Sequence, residues 1–163
     1  MTTQPDPALV QLAIDKMVIG EMQSQYMFAL DWHDPDLYGG LFTEDGILEW
    51  PEGQAQGREA IRAACVRIGQ FYDRLAEAAG PRKPARLRHF VGNRVFDIKG
   101  DRAKAWAYWF DLNNDNLQRW PYVAAYGYYE DDLVRTADGW RFTHRKIFNE
   151  ISGESPRENP VAA

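Results

Sequence analysis

Cysteine is nearly missing from this chain: Cys65 is the only one in 163 residues. A disulfide framework and a cysteine metal cluster are therefore excluded. Histidine is scarce too, at three (His33, His89 and His144), with no His-x-x-x-His spacing of the kind a metal site uses. No apolar run approaches the roughly 20 residues a membrane span needs. The start, MTTQPDPALVQLA, lacks a basic segment followed by an apolar one, so no secretory signal is expected. A cytoplasmic location fits both observations. Basic charge is not in excess. The formal net charge is −5, which argues against nucleic acid as a partner. There is no G-x-S-x-G, P-loop or G-x-G-x-x-G motif, no internal repeat and no run of like charge.

What is abundant is apolar and aromatic. Hydrophobic residues make up 45 % and aromatics 13 %, with six Trp and eight Tyr. Such content builds a large core, a cavity for a flat apolar ligand, or both. The length predicts one domain over 1–163, with loose polar ends at about 1–7 and 152–163.

Read in order, the chain predicts a helix over 7–30, interrupted near Gly20, with Ile14, Val18, Met22, Tyr26 and Ala29 on its buried face. Asp34 caps a short second helix, with Pro35 at its first position and Leu37, Leu41 and Phe42 as its apolar face. Asp45-Gly46 reads as a turn into a strand at 47–50, and Pro51-Glu52-Gly53 as another turn. A long helix follows from Arg58 to Ala79. Its stripe is Ile61, Ala64, Cys65, Ile68, Phe71 or Tyr72, and Leu75, and Gly80-Pro81 stops it. A basic linker at 82–86 leads to strands at 87–98, 102–113, 122–136 and 140–148, joined by tight turns or a polar loop. Helices first and hairpins after them predict an α+β fold with a mainly antiparallel sheet.

Residue chemistry singles out a few positions. Asp31 ends an apolar helical face, where a carboxylate opposes the helix dipole; it is either a solvated helix-end group or a buried acceptor. His89 sits in a strand between Arg88 and Phe90. It is either a satisfied core histidine or an acid–base group usable near neutral pH. The strand 102–113 sorts its side chains onto two faces. Ala103, Ala105, Ala107, Trp109, Asp111 and Asn113 share one, leaving room for helices or a ligand. Trp106, Tyr108 and Phe110 share the other, which suits an intersubunit contact and predicts a homodimer or homotrimer. Asp111 is a second carboxylate for His89, and Trp109 and Asn113 would line the wide end. Tyr26, Phe28, Trp50, Tyr72 and Tyr129 are further pocket candidates, each also explicable as core. Arg145, if inward, needs a carboxylate partner or an anionic ligand. Cys65, mid-stripe, reads as structural.

Several motifs together resemble SnoaL-like domains of the NTF2-like superfamily. The first is Tyr26, Leu30-Asp31, Asp34, Leu41-Phe42 and Asp45-Gly46. The others are Gly57-Arg58-Glu59-Ala60-Ile61, Arg88-His89-Phe90-Val91-Gly92-Asn93, Leu133-Val134-Arg135-Thr136 and Asp138-Gly139-Trp140-Arg141. The resemblance spans about residues 17–148. It implies an NTF2-like cone, a curved sheet wrapped over N-terminal helices with a pocket at the open end. Asp31-Trp32 and His89-Phe90 are similar to the scytalone dehydratase-like branch, whose enzymes are cofactor-free lyases using an aspartate–histidine pair. That resemblance implies a cofactor-independent lyase or dehydratase for a small aromatic substrate, releasing water or formaldehyde. Asp31, His89, Tyr26 and Asp111 would be catalytic; Phe28, Trp50, Tyr72, Trp109, Asn113, Tyr129 and Arg145 would bind substrate. The same fold also serves isomerases and non-catalytic binding or assembly domains, so the site must decide.

Overall fold

The computed structural model describes residues 4–79, 84–152 and 158–162. The Gly80-Pro81 stop, the first residues of the 82–86 linker, and parts of both expected loose ends lie outside them.

The first helix, α1 (Pro7–Asp31), starts where it can be capped. Asp6 accepts a hydrogen bond from the Ala8 amide at 2.9 Å, and Pro7 takes the first helical position. It does not break at Gly20. Burial of Ile19, Met22 and Gln23 carries the helix through, and the Arg94 side chain lies across the glycine. Met22, Tyr26 and Ala29 are buried as expected, but the first half of the face is turned by one position. Asp15, Ile19, Met22, Tyr26 and Leu30 point inward, whereas Ile14 and Val18 stay 47 % and 44 % exposed. α1 is apolar over much of its surface, so apolar spacing alone could not choose the face.

Asp34 caps α2 (Pro35–Gly40) through its carboxylate and the Leu37 amide, 3.0 Å apart. The buried side chain of α2 is Tyr38 rather than Leu37, and Phe42 already belongs to β1 (Phe42–Trp50). Asp45-Gly46 is not a turn but an irregularity inside β1, where its register against the last strand shifts. The segment read as turn only also contains a short strand, β2 (Gly53–Gln56), hairpinned onto β1. α3 (Arg58–Ala79) buries Ile61, Ala64, Cys65 and Tyr72; Phe71 is the exposed one of the aromatic pair.

Four long strands complete the chain: β3 (Leu87–Lys99), β4 (Arg102–Asn113), β5 (Tyr122–Thr136) and β6 (Gly139–Asn149). Among the described residues, the sheet runs β2-β1-β6-β5-β4-β3. Every neighbouring pair is antiparallel except β1 with β6. This is an α+β fold with a curved, unclosed sheet. β4 alternates as its sequence demands. Ala103, Ala105, Ala107, Trp109, Asp111 and Asn113 are buried against the helices, while Tyr108 and Phe110 face out. The alanines give the helices room. α1 packs on β3, and α3 packs on α2, β1 and β2. A gap remains between α3 and the far half of the sheet.

Candidate functional site

Asp31 is the last residue of α1, and Trp32 caps the helix. Arg88 in β3 latches this end. Its Nη1 donates to the Asp31 carbonyl at 3.0 Å, and its guanidinium lies 4.6 Å over the Trp32 ring. β3 is an edge strand, so one row of its amides has no strand partner. The Asp31 carboxylate takes the place of that partner at His89. One oxygen accepts the His89 amide at 2.8 Å, and the other lies 2.7 Å from Nδ1 of the same residue. Both side chains are buried, at 9 % and 6 % exposure. A carboxylate only accepts, so the neutral ring carries its proton on Nδ1 and leaves the Nε2 lone pair free. The helix-dipole cost of a carboxylate here, a few tenths to about 1 kcal/mol, is offset by these two bonds.

His89 is set into the wall of a cavity of about 490 Å³. α1 contributes Tyr26 and Leu30, and α2 contributes Tyr38. β1 adds Leu48 and Trp50; α3 adds Ala64, Arg67, Ile68, Phe71 and Tyr72; the sheet adds Leu87, His89, Trp109, Tyr129 and Ile147. A more open groove of about 680 Å³ lies between the start of α1 and the β3–β4 turn. Its charged groups are already committed to each other, Arg135 to Asp15 and Asp101.

The Tyr26 and Tyr38 hydroxyls meet at 2.5 Å. Burial pushes the Tyr26 phenol up to about 12, against the opposing pull of the Arg145 guanidinium, and burial drives Tyr38 up as well. Both remain protonated near neutral pH. Tyr72 is also raised by burial; its hydroxyl accepts from Asn113 Nδ2 at 2.8 Å, and its ring stacks on His33.

Trp50, Tyr72, Trp109 and Tyr129 thus line the cavity together with Tyr26 and His89. The remaining expected residues do not. Phe28 is 66 % exposed on the outside of α1; two residues past Tyr26, it points about 200° away around the helix. Asn113 lies behind Tyr72 and also accepts the Asp115 amide at 3.1 Å. Asp111 sits directly across the ladder from His89, but its Oδ1 accepts the Ala125 amide at 2.6 Å and pins the register shift between β4 and β5. Burial raises its carboxyl, opposed first by the His89 charge. Arg145 is inward, yet its partner is a carboxylate and not a ligand. Nε and Nη2 each donate to Asp131 at 2.7 Å, and the guanidinium packs 4.2 and 4.3 Å from the Tyr26 and Tyr129 rings. His144 pairs with Glu49 at 3.0 Å, away from the cavity. Two lining residues, Tyr38 and Arg67, do not stand out in the sequence. The weak Gly39-Gly40 helix hides Tyr38. Arg67 does leave a signal, since it interrupts the α3 stripe at Ala64, Ile68 and Phe71.

No group of three His, Cys, Asp or Glu side chains able to hold a metal forms among the described residues. No described helix is long and apolar enough to cross a membrane.

The family model for the SnoaL-like domain matches residues 12–146. The chain belongs to that family. Solved structures share this SnoaL-like fold. A protein of unknown function from Mycobacterium tuberculosis superposes with TM-score 0.73 at 22 % identity, covering 89 % of this chain and 76 % of that one. A Novosphingobium aromaticivorans protein named "Putative Scytalone Dehydratase" gives 0.70 at 22 %, covering 93 % and 95 %. ActVI-ORFA from Streptomyces coelicolor gives 0.67 at 22 %, covering 86 % and 96 %. No curated protein matches the chain.

Proposed function

We propose that this SnoaL-like chain is a cofactor-independent lyase, acting as a dehydratase on a small aromatic substrate through His89 and Asp31. One observation carries the reading: Asp31 holds both the amide and Nδ1 of His89, fixing an imidazole at the wall of a largely apolar cavity. A histidine that served packing alone would not need both carboxylate oxygens committed to it. The name of the Novosphingobium protein is consistent with this chemistry.

The step follows from the free Nε2 lone pair. Nε2 takes a proton from the carbon next to a substrate carbonyl. That electron pair forms the new C=C bond as the C–O bond breaks. The imidazolium, stabilised by Asp31, returns the proton to the departing hydroxyl, which leaves as water, and the ring is neutral again. The Tyr26–Tyr38 pair has two protons and uses one in its mutual hydrogen bond. The other is available to a substrate carbonyl oxygen, where charge develops. If the substrate is a hydroxymethyl compound, the same base removes the hydroxyl proton. The C–C bond then breaks to release formaldehyde, and the proton passes to the carbanion. Isomerisation would use the same pair without a leaving group.

The test is turnover of a panel of aryl alcohols, aryl β-hydroxyketones and diaryl diols. His89→Ala and Asp31→Asn should each lower turnover by about 10²-fold or more. The double variant should lose little beyond the worse single one, because the two act as a unit. Tight binding without turnover across the panel would overturn this reading in favour of a binding domain.

A further inference from the structure

The cavity's helix wall carries one charged side chain. Ala64, Arg67, Ile68 and Phe71 stand on one face of α3, at the spacing of a single helical stripe, and all four line the cavity. Three are apolar and one is a guanidinium. Of the other arginines on this helix, Arg58 pairs with Glu44 and Arg62 with Asp36, and Arg74 does not line the cavity. Arg67 has neither an ion pair nor a hydrogen bond among the described residues. No carboxylate lines the cavity beside it, since Asp31 is turned into His89 and Asp131 into Arg145. The whole chain carries a net charge of −5 and so repels anions at long range. A single unneutralised cation on the cavity wall therefore works against the background field, and it makes the cavity selective in sign.

We infer that the substrate is an aromatic carboxylate and that Arg67 is the residue that anchors its anionic group. This deepens the acid–base reading above and rests on it for placing the reacting carbon at His89. Arg67 belongs to the helix wall and His89 to the sheet wall, so the two hold different parts of one molecule. The flat part of the substrate lies between them, against Trp50 and Trp109. Arginine suits the task because its planar fork can donate to both carboxylate oxygens at once.

Binding is tested without turnover. 2-Naphthoate and its neutral isostere 2-naphthamide are titrated near neutral pH, with quenching of the cavity tryptophans as the signal. The unaltered protein should bind the carboxylate about tenfold more tightly than the amide, and added salt should narrow the gap. In Arg67→Gln the two affinities should converge to within about twofold. Arg67 is solvent-accessible, so this variant should keep the fold, which circular dichroism checks. His89→Asn should retain the preference for the carboxylate. Equal affinities in the unaltered protein, a preference that survives Arg67→Gln, or failure of both ligands to bind would each overturn the inference. Loss of the acid–base reading alone would leave the preference intact, whereas loss of this inference would leave turnover of neutral substrates intact.

Discussion

Tyr26 joins two systems that would otherwise be separate. Its hydroxyl reaches Tyr38 on the cavity side, while its ring lies against the Arg145 guanidinium, which Asp131 and through it Gln23 hold in place. Arg145 is fully buried and stabilised by Asp131. Removing either charge would leave the other unpaired inside the core. Tyr26→Phe should therefore keep this pair and the fold but lower turnover about tenfold or more, because the remaining Tyr38 hydroxyl loses the hydrogen bond that orients it toward the substrate carbonyl. Replacement of Arg145 should instead cost stability first. Thermal melting measured beside steady-state rates separates the two. Asp31 and His89 are legible as candidates in the sequence, being 58 residues apart but each odd in its local setting. The reason they meet is not legible. It depends on β3 being an edge strand with an amide to spare, and strand order is not written in periodicity.

At the scale of elements, α1 is held to the sheet by a polar latch near its start. Asp15 accepts Arg135 Nη2 at 2.6 Å, Trp140 Nε1 at 3.2 Å and Gln11 Nε2 at 3.1 Å. Burial by itself would raise this carboxyl, but the bonds from Arg135, Trp140 and Gln11 outweigh it and lower the pKa. A carboxyl depressed in the fold contributes stability above its unfolded value, about 4. That contribution is lost as the pH falls through the lower folded value. Asp15→Asn should cost on the order of 1–2 kcal/mol near neutral pH, and the gap to the unaltered protein should close on acidification, as read from urea midpoints across pH. A gap independent of pH would mean the latch works by packing. The latch also explains why the sequence misplaces the first half of the helix face. An inward aspartate looks like a solvent residue in the sequence, so a stripe through Ile14 and Val18 looks better than the true one. The strand 102–113, with three small alanines against three rings, carries its two faces openly and needs no tertiary partner to be read.

The outer surface of the sheet gives the whole molecule a second apolar face. Ladder register builds it in rows. Phe90, Phe110 and Tyr126 are neighbours across β3, β4 and β5, and the first two rings stack at 4.8 Å. Tyr108, Tyr128 and Phe148 form the next row across β4, β5 and β6, the latter two stacked at 4.4 Å. Tyr108 is 62 % exposed and Phe90 47 %, whereas Tyr128 is buried at 5 %, in a groove that Asn159, Pro160 and Val161 also line. Rows of aromatic rings on adjacent strands form a contiguous patch of the kind monomers rarely leave wet. A homodimer would cover it with the same surface of a second copy, and a homotrimer with a different surface of the next copy. The cavity opens on the opposite side of the sheet, where the helices lie, so closing this face does not close the site. Phe110→Glu should dissociate the assembly in sedimentation equilibrium at micromolar concentration and leave ligand binding in the cavity within about twofold of the unaltered protein. A monomer before any substitution would contradict self-association through this face, and loss of cavity binding on dissociation would mean that the neighbouring copy helps to shape the site.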